Sequence, residues 1–169
     1  MAHIVDFRQR PLSLMNLMRS GKYVGGHSYW KLYVIENIFR IIIHSVLTPE
    51  IPQGWWAVAV DQSIRGKAER FKTNYLKKAW HGKPGGHNIY YIDLRDLNEI
   101  IRANANLFSP VIPDIDKWMI GIEDLRLPRN VVAHMNCPSS NDFRRIDVFH
   151  SDCETLLEAV KSQIPLLIP

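Results

Sequence analysis

Apolar residues recur three and four positions apart along most of this chain, the period of a helix that turns one face to a core. The most apolar stretch runs from about Ser28 to Leu47, with Ser28 placed to cap it. From Trp30 through Ile35, Phe39, Ile43 and Leu47 its apolar residues wrap most of the circumference, which predicts a first long helix buried on more than one side. The polar exceptions Glu36, Arg40 and His44 fall four apart, beside Asn37. The simpler reading is a solvated seam in which Glu36 and Arg40 pair, worth about 0.2–0.5 kcal/mol. The sharper one is the polar wall of a site.

Thr48-Pro49 and Ile51-Pro52 interrupt the pattern. A second helix is expected from about Gln53 to Trp80, with Trp56, Val60, Ile64, Ala68, Phe71, Tyr75 and Ala79 as its core stripe and Trp55-Trp56 as core or interface. A third follows Asp93 as cap, with Leu94, Leu97, Ile101 and Ala105 facing inward. Pro113-Asp114 opens a fourth, whose stripe is Ile115, Trp118, Met119, Ile122 and Leu125 and which should stop or kink before Pro128. The last spans about Asn141 to Ile164. Its unbroken stripe (Phe143, Ile146, Cys153, Leu156, Val160, Ile164) makes the capping-box match Ser151-x-x-Glu154 a coincidence. The best strand candidate, Asn88 to Ile92, is short and unpaired. The pattern therefore predicts an all-α bundle of four to five main helices over residues 28–164. Residues 1–27 are a lead-in, with a short helix from about Pro11 to Arg19 stopped by Gly21 and a flexible joint at Gly25-Gly26.

Composition narrows the classes. At 169 residues, 46% hydrophobic and 22% charged, the chain is one globular domain and not a disordered one. Twenty-one Lys and Arg against 17 Asp and Glu leave a net charge of +4, which permits a polyanionic partner. Arg65, Lys67, Arg70, Lys72, Lys77 and Lys78 cluster with Glu69 as the one acid among them. Such a run is a solvated face or a footprint for a phosphate backbone, with Arg65, Lys67, Arg70 and Lys72 as the candidate phosphate contacts. Cys137 and Cys153 make no disulfide framework and fit a reducing compartment. Neither C-x-x-C nor H-E-x-x-H occurs, and His81 and His87 flank a Gly/Pro-rich loop without metal-ligand spacing, so no metal and no cofactor are expected. The N-terminus carries no secretory pattern and no run of 18 apolar residues exists, which predicts no membrane span and a cytoplasmic location.

One stretch concentrates chemistry: Pro128-Arg129-Asn130-Val131-Val132-Ala133-His134. Pro128 suits the first helical position, so these residues should open a helix whose free N–H groups and dipole favour an anion. Asn130 and His134, four apart, would share a face. Arg129 and His134, five apart, are separated by about 140° of rotation. They converge only because arginine is long, or because the histidine comes from a second chain. A purely structural role stays open as well, with His134 hydrogen-bonded inside the bundle and Arg129 paired to Glu123 or Asp124.

Arg129-Asn130-x-x-x-His134, with Ala133 before the histidine, resembles the signature of HEPN domains. The local form is similar to the branch found in prokaryotic defence proteins and in a yeast RNA quality-control endonuclease. Glu36-x-x-x-Arg40, Trp55-Trp56 and the apolar helix after the motif support the resemblance, which covers about residues 28–164. It implies a metal-independent endoribonuclease, a toxin or antiphage effector, in which the RNA 2′-hydroxyl attacks the adjacent phosphate and leaves a 2′,3′-cyclic phosphate. It also implies a homodimer that brings two motifs to one cleft, and an antitoxin or regulatory protein as partner. Arg129 would grip the phosphate through parallel hydrogen bonds. His134 would move the proton, since imidazole is the side chain that changes charge nearest neutral pH. Asn130 would orient His134 or donate to a phosphate oxygen. The alternative is a non-catalytic nucleotide-binding, RNA-binding or dimerisation module; scattered acids and histidines speak against a metal-dependent hydrolase.

Overall fold

The chain is described here by a computed structural model over residues 5–78 and 80–169, and every regular element among the described residues is helical. Ala79, the last position of the expected second stripe, and the first four residues of the lead-in lie outside the described residues.

A single helical run of 37 residues, Leu14 to Glu50, organises the rest. Helix α1 (Leu14–Val24) begins at Ser13, whose hydroxyl accepts from the Asn16 N–H at 3.1 Å. Gly21 does not stop it, and Gly25-Gly26 is not a joint. A π turn, Gly25–Tyr29, carries the chain directly into α2 (Trp30–Glu50), so the boundary expected between residues 27 and 28 falls inside continuous helix. Side chains take up the carbonyls that the extra residue dislocates. Ser28 donates to Val24 O at 2.6 Å, Trp30 Nε1 to Gly26 O at 2.9 Å, and the His27 ring bonds Tyr23 O at 2.8 Å while stacked on the Tyr23 ring. Ser28 is thus a buried hydrogen-bond donor within the helix and not its cap. Pro49 sits in the last turn of α2 and does not break it.

By length and composition alone this run could cross a membrane, yet half of its most apolar window is buried inside the protein. Ile35, Phe39, Ile42, Ile43 and Leu47 have no exposed surface, each burial worth about 1.5–3 kcal/mol. They meet α3 (Trp55–Val58), α5 (Leu94–Ala103), α6 (Ala105–Phe108) and α8 (Ser140–Lys161). Most of the apolar surface of α2 is therefore consumed within one chain, and Trp30 and Tyr33 in its first turns stay exposed.

The expected second helix is divided. Gly54, in the left-handed region at φ 109°, turns the chain into α3, and α4 (Gln62–Leu76) starts afresh at Asp61, whose carboxylate accepts from the Ser63 N–H at 2.8 Å. An aspartate that can bond its own downstream N–H competes with helix continuation. The stripe is buried at Val60, Ile64 and Ala68 and gives out at Phe71 and Tyr75, which are exposed. Asn88 to Tyr91 is a 3-10 turn against α4, not a strand. Asp93 caps α5 as expected, in a capping box with Asp96. Asn104 ends α5 by donating to Ile100 O at 2.8 Å and Ala59 O at 3.0 Å, which leaves Ala105 in α6.

Helix α7 (Ile115–Ala133) runs through Pro128 without stopping. A mid-helix proline removes one hydrogen bond, here to the carbonyl of the solvent-exposed Asp124, while burial of Leu125, Pro128 and Val132 holds the helix on its neighbours. Gly121 lets α8 come close: a Cβ there would collide with the Phe149 ring. Helix α8 starts at Ser139 in a second capping box with Asp142, and Ser151 and Glu154 fall mid-helix as the unbroken stripe requires. Beyond α8 the tail returns to α2, where the Leu167 N–H donates to Ser45 Oγ at 2.8 Å.

Candidate functional site

Because α7 does not restart at Pro128, the motif lies at the end of a helix and not at its beginning. The expected cradle of free N–H groups is absent there, and the helix terminus carries partial negative charge. His134 is the C-cap of α7, and its N–H donates to Asn130 O at 2.9 Å. Met135 follows in the left-handed region at φ 58°, and the Met135 and Asn136 N–H groups donate to Val132 O and Val131 O, both at 2.9 Å. These two bonds make a Schellman cap built on methionine where glycine is usual. The His134 ring is exposed and makes no hydrogen bond, ion pair or ring contact with a described side chain.

Arg129 turns the other way, to α2. Its Nη2 stands 3.7 Å from Glu36 Oε2, and Glu36 Oε1 accepts from Arg40 Nη2 at 2.5 Å. Arg40 also donates to Ile89 O at 3.3 Å and Ile92 O at 3.0 Å, tying α2 to the segment ahead of α5. The seam on α2 is thus not solvated: the side chains of Glu36 and Arg40 are 16% and 11% exposed. Glu36 walls the Arg129 site, and His44 leaves it altogether, accepting from Trp55 Nε1 at 3.2 Å. Neither Glu123 nor Asp124 partners Arg129, since Glu123 pairs with Arg126 at 2.7 Å. Arg129 Nη1 is 3.5 Å from Asn130 Oδ1, so the amide oxygen faces Arg129 rather than His134. Two guanidinium charges share the Glu36 carboxylate here, so that carboxylate balances Arg129 only in part.

Two clefts meet at Arg129. One, of about 200 Å³, lies towards α5 and is lined by Asp93, Arg95, Ile122, Arg126, Arg129 and Asn130. The other, of about 230 Å³, lies towards α2 and is lined by Tyr29, Tyr33, Glu36, Asn37, Arg129 and Val132. His134 lines neither. The fold therefore gathers Glu36, Arg40, Arg129 and Asn130 and leaves His134 outside. Arg95, Arg126, Tyr29 and Tyr33 were not singled out from the sequence. For the tyrosines the signal was their spacing, one helical turn apart with aromatic rings on a polar flank.

The basic run on α4 serves several ends. Lys67 is a strut between helices, its Nζ 2.8 Å from Asp93 and 2.7 Å from Asp96, and so does not stand free for a phosphate backbone. Burial alone would raise the Asp93 carboxyl, but Lys67, with the charge of Arg129 added, outweighs it and holds the group below its ordinary value. Lys72 donates to Asn88 Oδ1 at 2.8 Å, Arg65 is half-buried with no hydrogen bond to Nε, and Arg70 is exposed.

His81 and His87 part company. His81 stands against Tyr75 and Trp80, while His87 stacks on Trp55 with ring centroids 4.9 Å apart and 5.2 Å from His44. Among the described residues no three His, Cys, Asp or Glu side chains gather in a way that could hold a metal ion.

No protein-family model matches the chain, and no curated protein and no solved structure matches it.

Proposed function

We propose that this chain is a metal-independent endoribonuclease of the HEPN type that works as a homodimer, with a non-catalytic RNA-binding module of the same fold as the second reading. The observation that carries the first is Arg129, half-exposed at the junction of two clefts with its charge only partly balanced by Glu36, five residues from a solvent-facing His134. A scissile phosphate bound by the Arg129 guanidinium leaves its neighbouring 2′-hydroxyl to be deprotonated by an imidazole. O2′ then bonds to phosphorus, the bond to O5′ breaks, and O5′ takes a proton as it leaves, giving a 2′,3′-cyclic phosphate and a 5′-hydroxyl. Arg129 favours the charge that builds on the phosphoryl oxygens. Because His134 lines neither cleft of its own chain, the imidazole acting there is assigned to a second copy. The exposed apolar surface beside the motif, at Tyr29, Tyr33 and Met135, and along α1 at Leu14 and Met18, suits such a copy. A cytoplasmic toxin or antiphage effector, restrained by an antitoxin or regulatory protein, is the setting this activity fits. The same exclusion of His134 from the clefts favours the second reading, in which Arg129 binds nucleotide without cutting it.

Incubation with single-stranded RNA in excess EDTA tests the proposal. Cleavage leaving 2′,3′-cyclic phosphate ends is expected, and its loss in both Arg129→Ala and His134→Ala. Mixing the two inactive variants should restore part of the activity, because a mixed dimer regains one complete pairing of Arg129 with His134. Salt-sensitive RNA binding without cleavage would select the binding module instead.

A further inference from the structure

Two more guanidinium groups line the α5–α7 cleft with Arg129: Arg95 on α5 and Arg126 one turn earlier on α7. Each is held only by a carboxylate on its own helix, Arg95 to Glu99 at 3.2 Å and Arg126 to Glu123 at 2.7 Å, with 69% and 45% of the two arginine side chains exposed. Exposed pairs one helical turn apart contribute only tenths of a kcal/mol, so an incoming phosphate can displace them. Asp93 also lines the cleft, but Lys67, which it shares with Asp96, pairs with it at 2.8 Å, and its carboxylate is committed to the Arg95 and Asp96 N–H groups. The cleft itself is lined by three arginines, Arg95, Arg126 and Arg129, against two acids, Asp93 and Glu123. Leu94 and Ile122 form an apolar floor, and a volume of about 200 Å³ admits one phosphate with part of its sugar but not a duplex.

We infer that Arg95 and Arg126 form a subsite for the phosphate adjoining the one held by Arg129, so that single-stranded RNA runs along the α5–α7 cleft. This rests on the ribonuclease reading for which phosphate is cut, and moves the main backbone contacts from α4 to this cleft. Arginine forks suit the task because they accept a phosphate through two parallel bonds.

The probe is a single-stranded RNA oligonucleotide methylated at every 2′-oxygen, so that it binds and cannot be cut, with fluorescence anisotropy read over a series of salt concentrations. Compared with the wild-type chain, R95Q/R126Q should bind more weakly. Its plot of log affinity against log salt should be shallower by about 0.7, the slope for the one phosphate charge no longer neutralised. R144Q/R145Q removes the same charge from α8, away from this cleft, and should keep the wild-type slope. Both variants change exposed side chains, and a thermal melt confirms that they fold. A wild-type slope in R95Q/R126Q, an equal loss in R144Q/R145Q, or no binding by the wild-type chain would each overturn the subsite. If the wild-type chain cuts unmodified RNA while R95Q/R126Q binds unchanged, the subsite fails and the nuclease reading stands. If R95Q/R126Q shows the shallower slope but the wild-type chain cuts nothing, the nuclease reading fails and the subsite stands.

Discussion

His87 and His134 occupy opposite environments in one chain. The His87 ring is stacked on Trp55 and meets His44 edge-on, and its Nδ1 accepts from the Ile89 N–H at 3.1 Å, capping the 3-10 turn that carries the chain to α5. Burial, with the charges of His44 and Lys72 added, pushes it down to about 4, and burial also lowers His44. The His134 ring stands in water at the end of α7 with no described neighbour to bond. An imidazole locked neutral by aromatic packing stabilises a fold, whereas one left free at a helix end is available for proton transfer. Three features thus separate architecture from chemistry: whether a ring is stacked, whether its nitrogens are already bonded, and whether water reaches it.

Several substitutions would break or sharpen that contrast. His134→Ala should reduce RNA cleavage by roughly 10²–10⁴-fold, the range for a lost general acid or base, with an unchanged melting temperature. Equal loss of stability and activity would make His134 structural as well. His87→Ala should do the reverse, costing about 1–3 kcal/mol of stability while each folded molecule keeps its activity, as denaturant melts alongside cleavage assays would reveal.

The same pair sets a pH dependence. The folded chain keeps His87 neutral down to about 4, whereas an unfolded chain protonates the group at its ordinary 6.5. Between those values the unfolded state binds the additional proton, so stability present above pH 6.5 is lost as pH falls towards 4. His87→Gln should flatten that part of the profile; a profile identical to wild type would show that His87 is not responsible.

Smaller effects probe the neighbours. Met135→Gly should raise stability by about 1 kcal/mol, because the Schellman position at φ 58° is strained for a side chain and open to glycine. Lys67→Met should cost up to about 1 kcal/mol, given a lysine side chain 30% exposed, and leave the salt dependence of RNA binding unaltered. A large change in that salt dependence would return Lys67 to the role of a backbone contact.

The helical class and much of the core were legible because burial in a bundle imposes a period that one strand of sequence displays. The buried stripes of α5 and α8, and the cap at Asp93, involve partners within a few residues of each other. The breaks were not legible. At Gly25-Gly26 and at Pro128, local preference argued for ending a helix, and packing overruled it: the π turn lies against α8 with Ser28 buried, and Pro128 is buried as well, neither of which an isolated peptide would supply. At Asp61 the opposite happened, since a continuous stripe masked a strong local cap.

The sequence by itself determined the helical composition, the identity of the central apolar helix, and the presence of a cation, an amide and an imidazole within one short stretch. Only the tertiary structure decided the direction in which they point: Arg129 to Glu36 of α2, 93 positions away in the chain by subtraction of their numbers, and His134 to solvent. The physical reason is that periodicity and capping are properties of neighbours along the backbone. Which carboxylate a guanidinium meets, and which helix end it stands at, depend on how separate helices share one core.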